Sequence, residues 1–243
     1  MNSTELLAAA CPKIGGLGGA FYFAPETVAR GKELGLDGFR FYVLGRGGVL
    51  GDVESPVIAS AFGYWNGDHI AKMWNTAREK MGARDGGRHY MACAQDFGRA
   101  KFSGVANLGA YCEAAQAVVA AANPAGLALF AGVAGEPLAD DLPAKAMQLA
   151  TVLREFRGSA HLVAVLASGI EPRIAHFIRR PEMNKMFGWG EDEPTVPAEA
   201  AAQLAAADVL TDKLVLPAYS VLDESAAAAL VSCLDAMEAA LAG

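Results

Sequence analysis

Apolar positions recur at helical spacing along most of this chain, and the longest such run is Leu142–Ser168. On a 3.6-residue period, Leu149, Leu153, Phe156, Ala160 and Val163 fall within about 80° of one another, which predicts a core-facing stripe. Arg154, Arg157 and His161 gather on a neighbouring flank at spacings of three and four, where side chains can meet. After His161 the segment LVAVLA is apolar all round, which predicts a helix end enclosed by other helices. Two guanidinium groups and an imidazole thus stand where an amphipathic helix becomes a buried one. Charge buried without a partner is costly. Either a carboxylate of the chain, Glu26 or Glu155, meets these groups, or a ligand does.

Shorter helices are predicted on both sides. Asn2–Ala10 carries a capping-box pattern, with Glu5 three residues after Asn2. Pro25 suits a first helical turn with Glu26 behind it, and that helix is expected to end at Gly35. Phe39, Phe41, Tyr42 and Leu44 read as helix in this company. Ser55-Pro56 starts a helix expected to end near Trp65, and Asp68 is the expected N-cap of the next. Ser103–Ala122 reads as an Ala-rich helix closed by Asn123-Pro124. Leu127–Gly135 is expected to make one turn cluster, and Pro172–Arg180 one more short helix. No alternation of strands and helices is visible, which argues against a parallel α/β sheet.

The texture changes at Met183–Pro197, where two glycines, two prolines and the run Glu191-Asp192-Glu193 suggest a boundary. Beyond it, 198–210 and Asp223–Leu241 read as helices, with the β-rich run LVLPAY between them. The expected architecture is therefore all-α: a multi-helix domain over 1–185, then a small acidic domain over 186–243 whose helix, short ribbon and helix suit a winged-helix-like unit and also a plain helical appendage.

Charge narrows the partners. The chain has 20 basic and 27 acidic residues, a net −7. That argues against a general affinity for nucleic acid or anionic membrane. Residues 188–243 hold ten Asp or Glu against one Lys, a net −9. DNA binding depends on neutralising phosphates, so direct DNA reading is not expected. Lys72–Lys101 is the basic section, read first as a solvated face. Four scattered cysteines without a CxxC pair fit free thiols in a reducing cytosol. Leu6–Phe23 lacks the basic start of a leader and is broken by Pro12, Lys13 and glycines, so no signal or membrane span is expected. The protein is read as cytoplasmic, with the Ala-rich C-terminal helices as a candidate homodimer seam.

The chemical motifs are few. GGLGG at 15–19 lacks phosphate-loop spacing and is expected to be a flexible turn. There is no GxSxG and no HxxxH, so neither a hydrolase elbow nor a zinc site is expected. Haem held by one histidine stays open. Arg154 and Arg157 suit a carboxylate or phosphate through their planar forks, and His161 could donate, accept or transfer a proton near neutrality. The residues expected at a ligand site are Tyr22, Glu26, Arg46, Trp65, Trp74, Arg154, Arg157 and His161. The aromatic set Tyr22, Phe23, Phe62, Tyr64, Trp65 and Trp74 is either core or pocket lining. The ligand would be small, partly apolar and anionic. An enzyme using His161 as acid/base, a transcription regulator and a dimerisation module are the alternatives.

Three pieces of sequence also resemble a known family: Tyr22-Phe23-Ala24-Pro25-Glu26, then Gly45-Arg46 with Leu50-Gly51 and Ser55-Pro56, and above all Leu153-Arg154-Glu155-x-Arg157-Gly158-x-x-His161. The chain resembles an actinobacterial family that carries a generic helix-turn-helix description without an established biochemical function. The resemblance spans roughly residues 20–170. It implies a helical N-terminal part and a winged-helix-like C-terminal part, and it supplies no catalytic assignment.

Overall fold

The computed structural model describes residues 1–242, and among them there are helices but no strand. Twelve α-helices follow one another: α1 Ser3–Leu17, α2 Pro25–Glu33, α3 Gly38–Gly47, α4 Ser55–Phe62, α5 Gly67–Arg78, α6 Ala83–Phe102, α7 Leu108–Ala121, α8 Ala128–Ala134, α9 Leu142–Ala167, α10 Pro172–Arg179, α11 Ala200–Tyr219 and α12 Glu224–Ala242. Two short 3-10 segments, Gly48–Leu50 and Pro181–Met183, complete the list.

Local chemistry explains most boundaries. The Asn2 side chain accepts from Glu5 N at 2.9 Å while Glu5 Oε2 accepts from Asn2 N at 2.8 Å, so the capping box forms. Helix α1 then continues through Gly15 and Gly16 to Leu17, past the turn expected there, because Leu6, Ala10, Ile14 and Leu17 bury one face. Pro25, Pro56 and Pro172 each stand within the first turn of a helix, where a missing N–H leaves nothing unsatisfied. Helix α4 stops at Phe62, because Gly63 takes a positive φ of 49°. Asn66, not Asp68, caps α5 by accepting from His69 N.

Helix α9 is the axis of the molecule. It packs on α6, α7, α8, α1, α11 and α10. Every residue from Ala146 to Leu153 is buried. The polar members of that run are satisfied: Gln148 donates to Pro137 O and accepts from Ala139 N, and Thr151 donates to Met147 O. The enclosed part of the helix is therefore its first two-thirds. The apolar end LVAVLA, expected to be enclosed, is half open: Val163 is 39 % exposed and Leu166 is 60 % exposed. Val163 thus leaves the core stripe that Leu149, Leu153, Phe156 and Ala160 do form.

The run LVLPAY, expected as a ribbon, is the last two turns of α11. Val215, Ala218 and Tyr219 fall on its buried face and Pro217 is accommodated within it, so helical packing overrides β-propensity and no wing forms there. Helices α11 and α12 lie against α1, α7 and α9, and their Tyr219, Leu230, Leu234 and Met237 join the same core as the N-terminal helices. Helix α12 is long and apolar enough to cross a membrane by composition alone. In this fold it is a bundle helix with one face on α1 and α7.

Candidate functional site

The C-terminal half of α9 forms one wall of a cleft of about 670 Å³. Its other walls come from α1, α3, α4 with the loop after it, α10, Phe187 and Asp208 of α11. Arg154, Arg157 and His161 all face it, although they do not bond to one another. Each is held by a different neighbour.

At the inner end, Glu155 is buried, 2 % exposed. Arg46 grips it with both prongs, Nε to Oε1 at 3.0 Å and Nη2 to Oε2 at 2.8 Å. Arg154 Nη1 donates to Oε1 at 2.9 Å, and the Tyr22 hydroxyl donates to the same oxygen at 2.7 Å. Arg46 Nη1 also donates to the Tyr42 hydroxyl at 2.6 Å, and Tyr90 fixes the Tyr22 backbone through its carbonyl. Burial pushes the Glu155 carboxyl up, but the two arginines and their hydrogen bonds outweigh it and hold it at about 2. Burial likewise drives the Tyr22 phenol well above its ordinary value. Two guanidinium groups against one carboxylate leave a net positive charge at this end. Arg46 is consumed within the protein. Arg154 is not: its side chain is 31 % exposed and only Nη1 is bonded.

In the middle, Arg157 Nη1 lies 2.8 Å from Asp212 Oδ1, an ion pair by distance but out of line for a hydrogen bond. Cys11 lies beside it, its thiol raised chiefly by burial and held back by Arg157. At the outer end, His161 Nδ1 is 2.8 Å from Thr211 Oγ1 and 3.9 Å from Asp208 Oδ1. Asp208 also pairs with Arg179. Burial lowers the His161 pKa, Arg179 and Arg157 lower it further, and Asp208 opposes them. His176 is lowered by burial and by Arg180. Its ring stacks on Phe187 at 4.0 Å, and Phe187 stacks on Trp65 at 4.1 Å. Trp189 Nε1 donates to Tyr64 O and Phe187 O accepts from Asn66 N, so the segment after α10 is tied to the loop after α4. The buried Tyr64 hydroxyl has no hydrogen-bond partner among the described residues.

Of the residues expected at the site, Arg46, Trp65, Arg154, Arg157 and His161 line the cleft. Tyr22 stands behind it, its ring 4.8 Å from the Arg154 guanidinium, and shapes the charge network rather than the wall. Glu26 does not belong: it is exposed in the first turn of α2, and the partner of the arginines is Glu155. Trp74 does not belong either. It is fully buried, with Nε1 donating to Val53 O at 3.1 Å, a core residue. Phe62, Tyr64 and Trp65 are the lining members of the aromatic set. Sequence reasoning missed His176, Arg179 and Arg180 as site residues. Their spacing of three and four repeats that of Arg154, Arg157 and His161, and it was legible. Thr211 and Asp208 carried no such signal, because only the packing of α11 on α9 brings them to His161.

These features define an all-helical protein with an arginine-lined cleft. The model of a helix-turn-helix family matches residues 9–243, and the chain belongs to that family. No curated protein and no solved structure matches the chain.

Proposed function

We propose that the chain binds a small anionic molecule with an aromatic or apolar body in this cleft, and that Arg154 and Arg157 hold the anionic group. The observation that carries the reading is a charge inversion. The cleft is lined by five arginines and two histidines against two carboxylates, in a chain whose net charge is −7. A volume of about 670 Å³ lies in the range of small-molecule sites. Guanidinium groups with free N–H donors match carboxylate or phosphate oxygens. Phe62, Tyr64, Trp65 and Phe187 supply an aromatic wall for the body of the ligand. Native mass spectrometry of freshly purified protein, against the same sample denatured, tests this. The expected result is a non-covalent acidic mass whose occupancy falls in Arg154→Leu and in Arg157→Leu. Equal occupancy in all three proteins would refute it.

The family description makes a transcription regulator the rival reading. The net −9 over residues 188–243 speaks against direct contact of that part with phosphates. Duplex binding that weakens steeply with salt would support the rival, and its absence at low salt would remove it. An enzyme on the same cleft would share the ligand, and turnover that survives His161→Ala would exclude His161 as its acid/base.

A further inference from the structure

The two nitrogens of His161 have different fates, and the hydroxyl beside them decides which carries hydrogen. Thr211 Oγ1 lies 2.7 Å from Ala207 O, one turn back along α11, and 2.8 Å from His161 Nδ1. A carbonyl oxygen only accepts, so the single hydroxyl hydrogen of Thr211 goes to Ala207. The bond to the ring must then run the other way: Nδ1 carries a hydrogen and donates it to Thr211. The other group near Nδ1, the Asp208 carboxylate, is also an acceptor. Nε2 has no hydrogen-bond partner among the described residues, and the ring stands in the cleft wall. In the neutral ring Nε2 is therefore a lone pair.

The charges around the ring keep it neutral near pH 7. Burial, Arg179 on α10 and Arg157 on its own helix disfavour the imidazolium, while Asp208 on α11 favours it. Tyr64 contributes a flat ring at 6.4 Å between centroids. With a rise of 1.5 Å per residue, His161 stands about 6 Å beyond Arg157 and about 10 Å beyond Arg154 along α9. A ligand anchored on the arginines thus meets an acceptor one to two turns away, across an aromatic wall.

We propose that His161 is a fixed-tautomer acceptor and that the ligand is an aromatic hydroxy acid, its carboxylate on Arg154 and Arg157 and its hydroxyl donating to Nε2. This deepens the reading of the cleft as an anion site and rests on it. A benzene ring separates para substituents by a span comparable with the Arg157-to-His161 step, and phenols are stronger donors than aliphatic alcohols.

Two measurements test the proposal on the full chain. In protein labelled with ¹⁵N-histidine, long-range proton–nitrogen correlations report which ring nitrogen carries hydrogen, and His161→Gln assigns the signal. The expected pattern at pH 7 is Nδ1–H, kept in Thr211→Ser and lost in Thr211→Val. An Nε2–H pattern in the wild type overturns the proposal. Calorimetric titration with 4-hydroxybenzoate, 4-methoxybenzoate and benzoate gives the ligand side. One good hydrogen bond predicts roughly tenfold tighter binding of the hydroxyl compound. In His161→Phe, checked for native helicity, that preference should fall to about onefold. Equal binding of all three probes to the wild type overturns this proposal and leaves the anion site standing. No binding of any probe at millimolar concentration overturns the anion site itself.

Discussion

Replacing Glu155 by Gln isolates the charge network at the inner end of the cleft. Arg46 is 13 % exposed and Arg154 is 31 % exposed, and Glu155 is their shared carboxylate. Removing one member of a buried ion pair leaves an uncompensated charge and costs about 3–5 kcal/mol. Linkage gives a second, independent magnitude. The Glu155 carboxyl falls from 4.5 to about 2 on folding, which at 1.36 kcal/mol per unit is about 3 kcal/mol. The folded value lies below the unfolded one, so this stabilisation is present above pH 4.5 and is lost as pH falls towards 2. Urea unfolding at a series of pH values measures both quantities. At pH 7 the Gln variant should lose about 3–5 kcal/mol, or about 6–20 °C in thermal midpoint for a chain of this size. Between pH 4.5 and 2 its stability should fall less steeply than that of the wild type. A loss under about 1 kcal/mol, or an unchanged acid slope, would refute the reasoning.

Other expectations follow from single contacts. A methyl group added at Gly98 would stand 2.7 Å from Met147 Cβ and closer still to Pro143 O. Gly98→Ala should therefore part α6 from α9 and cost about 1–3 kcal/mol in urea unfolding. Asn2→Ala removes the capping box of α1 and should cost about 1 kcal/mol. His161 and His176 both have depressed pKa values in the fold. Their contribution to stability is full above the unfolded value of about 6.5 and is lost as pH falls below it, and a His176→Gln variant should flatten that part of the profile. Burial raises the Cys93 and Cys112 thiols to about 11. The thiolate is the reactive form, so alkylation at pH 8 should be slow in the native protein and complete at all four cysteines in urea.

Much of the fold was legible because helices announce themselves locally. The capping box at Asn2, the prolines at helix starts and the 3.6-residue apolar period along the 26 residues of α9 all depend on neighbours within a few residues. What failed depended on distant packing. The segment LVLPAY reads as strand by propensity, yet α11 buries Val215, Ala218 and Tyr219 on one helical face. The end of α9 reads as enclosed because it is apolar, yet Leu166 lies open. At the site, the grouping of Arg154, Arg157 and His161 on one flank of α9 is legible from spacing. Its partners are not. Arg46 to Glu155 spans 109 residues and His161 to Thr211 spans 50. Glu26 looked equally able to meet the arginines, and only the placement of α2 at the surface removes it.

The central claim is that the cleft holds an anion through the arginines of α9. Titration with anilinonaphthalene sulfonate, an aromatic anion whose fluorescence rises on binding, tests it most directly in the wild type, Arg154→Leu and Arg157→Leu. Each lost charge-assisted contact should weaken the dye about ten- to hundredfold at low salt. 4-Hydroxybenzoate should displace the dye from the wild type. Equal affinity for the dye in all three proteins, with native helicity retained, would contradict the account.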